Sequence, residues 1–150
     1  MTATLHPTEA TAATSATTPK LQAGVLGVTR VVVSFLFVCH GLVGLLGLFG
    51  GLDGRGGAAA LGAWPGWWAA AVEVLAGALV GLGLLARPAA VLCSGAMAYA
   101  YFTVHQPDAL LPIANHGEPA AMFCWVFLLY AVLGPGAFAL DNLRSKRLSR

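Results

Sequence analysis

The sequence predicts an all-α protein, a bundle of four transmembrane helices with both termini cytoplasmic. Three observations predict it. Hydrophobic residues make up 58% of the chain and charged residues only 9%, whereas soluble domains carry about a quarter charged residues. The apolar residues fall into long runs separated by short Gly-, Pro- or polar-rich connections. Lys and Arg outside those runs lie almost entirely on one side of them, and that asymmetry sets topology.

Residues 1–22 are Thr/Ala-rich, lack an apolar period, and read as a disordered cytoplasmic tail. They do not read as a signal peptide, because the basic start is missing. Residues 23–141 form the predicted membrane domain, and residues 142–150 a basic cytoplasmic tail. A bilayer core about 30 Å thick takes about 20 helical residues. The predicted spans are 24–49, 66–86, 88–104 and 119–138, the third being the shortest. Strands would alternate in polarity, and these runs do not.

Residues 50–65 are Gly-rich and end at Trp64-Pro65. Arg87-Pro88 is predicted as a tight turn between the second and third helices. Residues 105–118 form a polar loop. Glu118-Pro119 reads as a helix start, with Pro early and an acid at the positive end of the dipole. Gly134-Pro135-Gly136 breaks the fourth helix near its end. Lys20, Arg87 and the tail cluster Arg144, Lys146, Arg147 and Arg150 fall on one side, and Arg55 alone on the other. The basic side is therefore predicted cytoplasmic. Trp64, Trp67 and Trp68 then sit at the outer interface.

A net charge of +2 gives no basis for nucleic-acid binding. Three cysteines, Cys39, Cys93 and Cys124, form no CxxC pair and read as small buried hydrophobes. Arg30, His40 and Glu73 interrupt the apolar pattern. A charge placed mid-membrane costs about 3 kcal/mol on insertion scales, so such residues face the interior and have partners. Arg30 lies about 9 Å in from the cytoplasmic side at helical rise. It reads either as snorkelling to the headgroups or as an interior residue ordering a polar site. Gly27, Arg30, Ser34, Phe37, Gly41 and Gly44 share one helical face, which is small enough for helix contact. Glu73 lies about 10 Å in from the outer side, with Gly77 and Gly81 forming a small-xxx-small ridge on its face. It must be protonated or paired, serving either a structural bond or a functional site. His40 matches Glu73 in depth better than Arg30 does, and a His40–Glu73 pair reads as holding a proton, orienting a ligand or simply being satisfied in the core. His105, Asp108, Asn115, His116 and Glu118 cluster in and beside the polar loop. Their spacing matches no metal signature, so no metal is expected.

Four features together resemble the DoxX family of small bacterial membrane proteins. They are Arg30 followed by His40-Gly41; Glu73-x-x-x-Gly77 running to Gly83-Leu84-Leu85-Ala86-Arg87; Gly117-Glu118-x-Ala120; and Gly134-Pro135-Gly136 followed by Leu140-Asp141. The resemblance spans about residues 26–143. It implies a four-helix, multi-pass protein of the bacterial plasma (inner) membrane. It also implies a redox setting, either quinone-linked or in thiol and oxidative-stress systems, in which the chain is a membrane subunit. The implied partners are the lipid bilayer, a redox protein and further copies of the chain. A quinone is the implied ligand. Arg30, His40, Glu73, Tyr99, His105, His116 and Glu118 are the candidate ligand-binding residues, and no catalytic residue is assigned. The competing readings are a non-catalytic membrane anchor or assembly partner, and a small transporter.

Overall fold

A computed structural model describes residues 10–143, with side chains from residue 18 onward. Residues 1–9 of the expected disordered tail and the basic tail from Arg144 onward lie outside the described residues. The described chain is all-helical, without strands beyond an isolated bridge between Gly51 and Gly57.

Helix α1 covers Ala10–Leu46. It starts before the expected span, because lengthening an existing ladder needs no new nucleus and the interspersed Ala residues favour it, although the Thr residues between them are weak helix formers. Pro19 removes one bond from that ladder without ending it. Thr18–Leu46 is long and apolar enough to cross a membrane, its most apolar 18 residues having a mean hydropathy of 1.9. All six residues of the predicted small face, from Gly27 to Gly44, are buried. A 3-10 turn, Leu48–Gly50, follows. In the next loop Asp53 Oδ1 accepts the amides of Arg55 and Gly57, each at 2.8 Å. The Gly57 and Arg55 bonds hold this exposed carboxyl below its usual range.

Helix α2 covers Gly66–Leu82. It closes on Gly83 at φ 68°, whose amide returns to the carbonyls of Leu79 and Val80. Helix α3 covers Ala86–Ala100 and continues into a π-helical turn, Tyr101–His105. The expected turn at Arg87-Pro88 is therefore displaced. The chain reverses at Gly83–Leu85, with Leu85 at φ 49°, and Arg87 and Pro88 lie in the first turn of α3. A first-turn Pro loses nothing there, since its N–H would have had no helical partner. Helix α4 covers Glu118–Leu133, with Pro119 early and Glu118 in its first turn. It stops at Gly134, short of the expected 138. Both α2 and α4 are shorter apolar helices.

Helix α1 packs on α2, α2 on α3, and α3 on α4, while the backbones of α1 and α4 stay further apart and meet through large aromatic side chains. The α1–α2 seam relies on glycine. A Cβ at Gly41 would come within 2.7 Å of Glu73 Cβ and 2.9 Å of the Ala70 carbonyl. Gly77 faces Phe37 and Gly81 faces Ser34 in the same seam. Small residues here let the two backbones approach closely. The core is slim, centred on Phe37, Val80, Ala90, Cys93 and Phe127. Phe37 touches the rings of Phe123 and Phe127, with centroids 5.0 and 4.6 Å away. Large apolar side chains cover the outside instead, including Phe35, Leu75, Trp125 and Val132. A water-soluble monomer rarely presents apolar surface on that scale.

Candidate functional site

The stretch of α1 from Ala23 to Arg30, the α2–α3 turn and the segment after α4 meet at one end of the fold. Ala137 N–H donates to Ala23 C=O at 2.8 Å, and Asp141 N–H to Gly83 C=O at 2.9 Å. Arg30 lies fully buried at this end. Its Nη1 donates to Val80 and Gly81 carbonyls, and its Nη2 to those of Ala137 and Phe138. A guanidinium supplies five donors in a rigid fork. It sits at the C-terminal end of α2, where carbonyls point outward and the helix dipole favours a cation. Arg30 does not snorkel. It joins α2 to the 137–138 segment.

The opposite end holds the α1–α2 loop, the π-helical turn and the 106–117 loop. Here His40 Nδ1 lies 2.8 Å from Glu73 Oε2. The two side chains are 63% and 6% exposed, so the carboxyl is deep and the imidazole open. A hydrogen bond of that length needs one proton between the two atoms. A bare carboxylate is expensive at that depth, which favours the arrangements of zero net charge. Those are imidazolium with carboxylate, or neutral imidazole with carboxylic acid. In both, His40 Nε2 carries a hydrogen and is a donor.

The pair opens on a cavity of about 170 Å³. His105 and His116 line it with polar edges, while Met97, Ala100, Ala120 and Phe123 give apolar walls. His105 Nδ1 lies 3.1 Å from the carbonyl of Asn115. A carbonyl only accepts, so Nδ1 bears the hydrogen and Nε2 of a neutral ring is left as an acceptor. Asn115 is itself buried. Its side chain donates to Ala109 C=O at 2.7 Å and accepts the Gly117 amide at 2.8 Å. These bonds pin the loop over the cavity. His116 is exposed and sits at φ 57°. Among the described residues, no three His, Cys, Asp or Glu side chains converge to hold a metal ion.

The fold thus brings together His40, Glu73, His105 and His116 and leaves three other candidates apart. Arg30 is ten residues from His40, about 15 Å along α1. Tyr99 faces a different groove, of about 270 Å³, beside Trp68. Its ring stands edge-on to Trp64 with centroids 5.7 Å apart. Glu118 is exposed in the first turn of α4 and does not line the cavity, although Pro119 beside it does. Sequence reasoning missed Met97 and Phe123, and took Asn115 only as one member of the polar loop. The first two look like ordinary core residues, and nothing in the polar loop singles out Asn115 as its organiser.

The DoxX family signature matches residues 25–106, from α1 to just beyond the π-helical turn. That range carries Arg30, the His40–Glu73 pair and His105. The Gly117-Glu118 and Gly134-Pro135-Gly136 features fall outside it. A protein of Haemophilus influenzae, described only as an uncharacterized protein, is 38% identical over 120 residues. That stretch covers 78% of this chain and 88% of the Haemophilus protein. No solved structure matches the chain. With its signature running from the first helix through His105, this chain belongs to the DoxX family.

Proposed function

We propose that this protein crosses the plasma membrane of a bacterium four times, with both termini cytoplasmic. In this reading it binds a quinone-class ligand in the His40–Glu73 cavity, as the membrane subunit of a redox system. Helix lengths support four crossings. The 17 residues of α2 extend about 25 Å and the 16 of α4 about 24 Å at helical rise. The 15 residues of α3 continue into the five of the π-helical turn. A core of about 30 Å meets slightly short helices by thinning or by anchoring at the interface. Charge supports the orientation. The end with the α2–α3 turn carries Lys20 and Arg87, and the cavity end carries Arg55.

The observation that carries the ligand reading is the His40–Glu73 pair at the mouth of a ring-sized, apolar-walled cavity. Drug-sized ligands occupy about 300–1,000 Å³, while a cavity of about 150 Å³ takes benzene. The space therefore suits a single substituted ring. His40 Nε2–H offers a donor to a ring carbonyl, and Phe123 and Met97 offer apolar walls.

The test is direct. Purified protein is titrated with a short-chain quinone, comparing wild type with Glu73→Gln. Saturable binding by wild type, weakened in the variant, is expected. No saturable binding by either overturns the ligand reading. Labelling of cysteines placed singly at positions 55 and 110 checks the orientation, since both are expected to react from outside intact cells.

A further inference from the structure

The two histidines of the cavity differ in what their free nitrogens offer. Glu73 takes up His40 Nδ1, and in the uncharged arrangements of that pair Nε2 is a donor. The Asn115 carbonyl takes up His105 Nδ1, so Nε2 of the neutral ring is an acceptor. Asn115 is buried and held by its own bonds to Ala109 and Gly117, so the His105 tautomer is fixed by a rigid partner.

We propose that the cavity selects for a hydroxyl-bearing ring, because His40 donates to the ligand while His105 accepts from it. This rests on the ligand reading above and narrows it. A quinone carbonyl can only accept. It satisfies His40 and leaves the His105 lone pair facing another lone pair. A quinol hydroxyl both accepts and donates, so the reduced ring satisfies both histidines. A polar group left without its partner against the bound ring lowers affinity by about tenfold. The site therefore holds the reduced member of the couple more tightly, and a bound couple is harder to oxidise than the free one.

Wild type is titrated near pH 8, above the ordinary imidazole range, with a short-chain quinone and, anaerobically, with its quinol. The quinol is expected to bind about tenfold tighter. In His105→Phe the ratio is expected to fall to about one, through loss of quinol affinity. His105→Gln keeps a side-chain acceptor and is expected to restore part of the ratio. Circular dichroism and the thermal unfolding midpoint in detergent report that each variant is folded. If wild type binds both forms equally, or if His105→Phe keeps the preference, this inference is overturned while the ligand reading stands. If wild type binds neither form, both fall.

Discussion

Arg30 Nη1 donates a 2.8 Å hydrogen bond to the carbonyl of Val80, joining positions 50 residues apart. The same guanidinium reaches Ala137 and Phe138, so one side chain ties α1 to the end of α2 and to the segment after α4. Arg30→Met is expected to destabilise the fold by about 3 kcal/mol, because buried carbonyls lose charged donors. Arg30→Lys is expected to recover about half. An ammonium donates from a single point and cannot serve both segments at once. Thermal unfolding in detergent, followed by circular dichroism, gives the order wild type, Lys, Met. A Met variant as stable as wild type would show that these bonds contribute nothing net.

The α2–α3 turn is held from outside as well. Asp141 Oδ1 accepts the Leu85 amide and Oδ2 the Ala86 amide, both at 3.0 Å. Helix α3 has no capping side chain of its own at Leu85, so a residue beyond α4 does the work of an N-cap. Losing an N-cap costs about 0.5–2 kcal/mol. Asp141→Ala is expected to lower stability by about 1–2 kcal/mol. Asp141→Asn is expected to cost less, since its amide oxygen still accepts one bond. Equal losses in the two variants would mean that the carboxylate charge, and not the bonds, carries the effect.

These contacts explain which features were legible in the sequence. The buried face of α1 was legible because helical periodicity places Gly27, Arg30, Ser34, Phe37, Gly41 and Gly44 in line. The His40–Glu73 proximity was legible from position along the predicted helices, and the two side chains meet near the same end of the fold. The reversal at Gly83–Leu85 was not, because Pro88 is the louder signal and nothing local marks Leu85 for a positive φ. Tyr99 was misplaced for an angular reason. It follows Met97 by two positions, about 200° around the helix, so depth was right and direction wrong. The His105 tautomer depends on the path of a loop that no periodicity constrains.

Two glycines of the adjoining helices should respond to the same substitution with opposite signs. Gly83 has φ 68°, and an added Cβ would collide with Arg30 Nη1 and come within 2.5 Å of Ala139 Cβ. Gly95 lies inside α3 with nothing within 4 Å of the added atom. Gly83→Ala is expected to cost about 2 kcal/mol or more through strain at that φ and a displaced Arg30. Gly95→Ala is expected to gain about 0.5–1 kcal/mol in helix propensity. The two unfolding temperatures should move in opposite directions. A shift in the same direction would show that the turn at Gly83 has room to adjust.

Gly41 links the helix seam to the site. It precedes no polar contact of its own, yet it lies one residue after His40 and against Glu73. A methyl group there meets Glu73 Cβ at 2.7 Å and the Ala70 carbonyl at 2.9 Å. Backbone carbonyls in a helix give little, so α1 and α2 must move apart. The 2.8 Å bond between His40 and Glu73 has little slack, since such bonds weaken steeply beyond about 3.2 Å. Gly41→Ala is therefore expected to lower stability by about 1–3 kcal/mol, as overpacked cores do. Ligand affinity should fall with it. Gly44→Ala is the control. Its added Cβ meets only Ala70 Cβ at 3.0 Å, one turn from the pair. It should cost less stability and leave affinity within about twofold, because a side-chain methyl can shift by tenths of an ångström. Equal affinity losses in the two variants would mean that the seam acts as a rigid whole and that the spacing at Glu73 has no special part in the site.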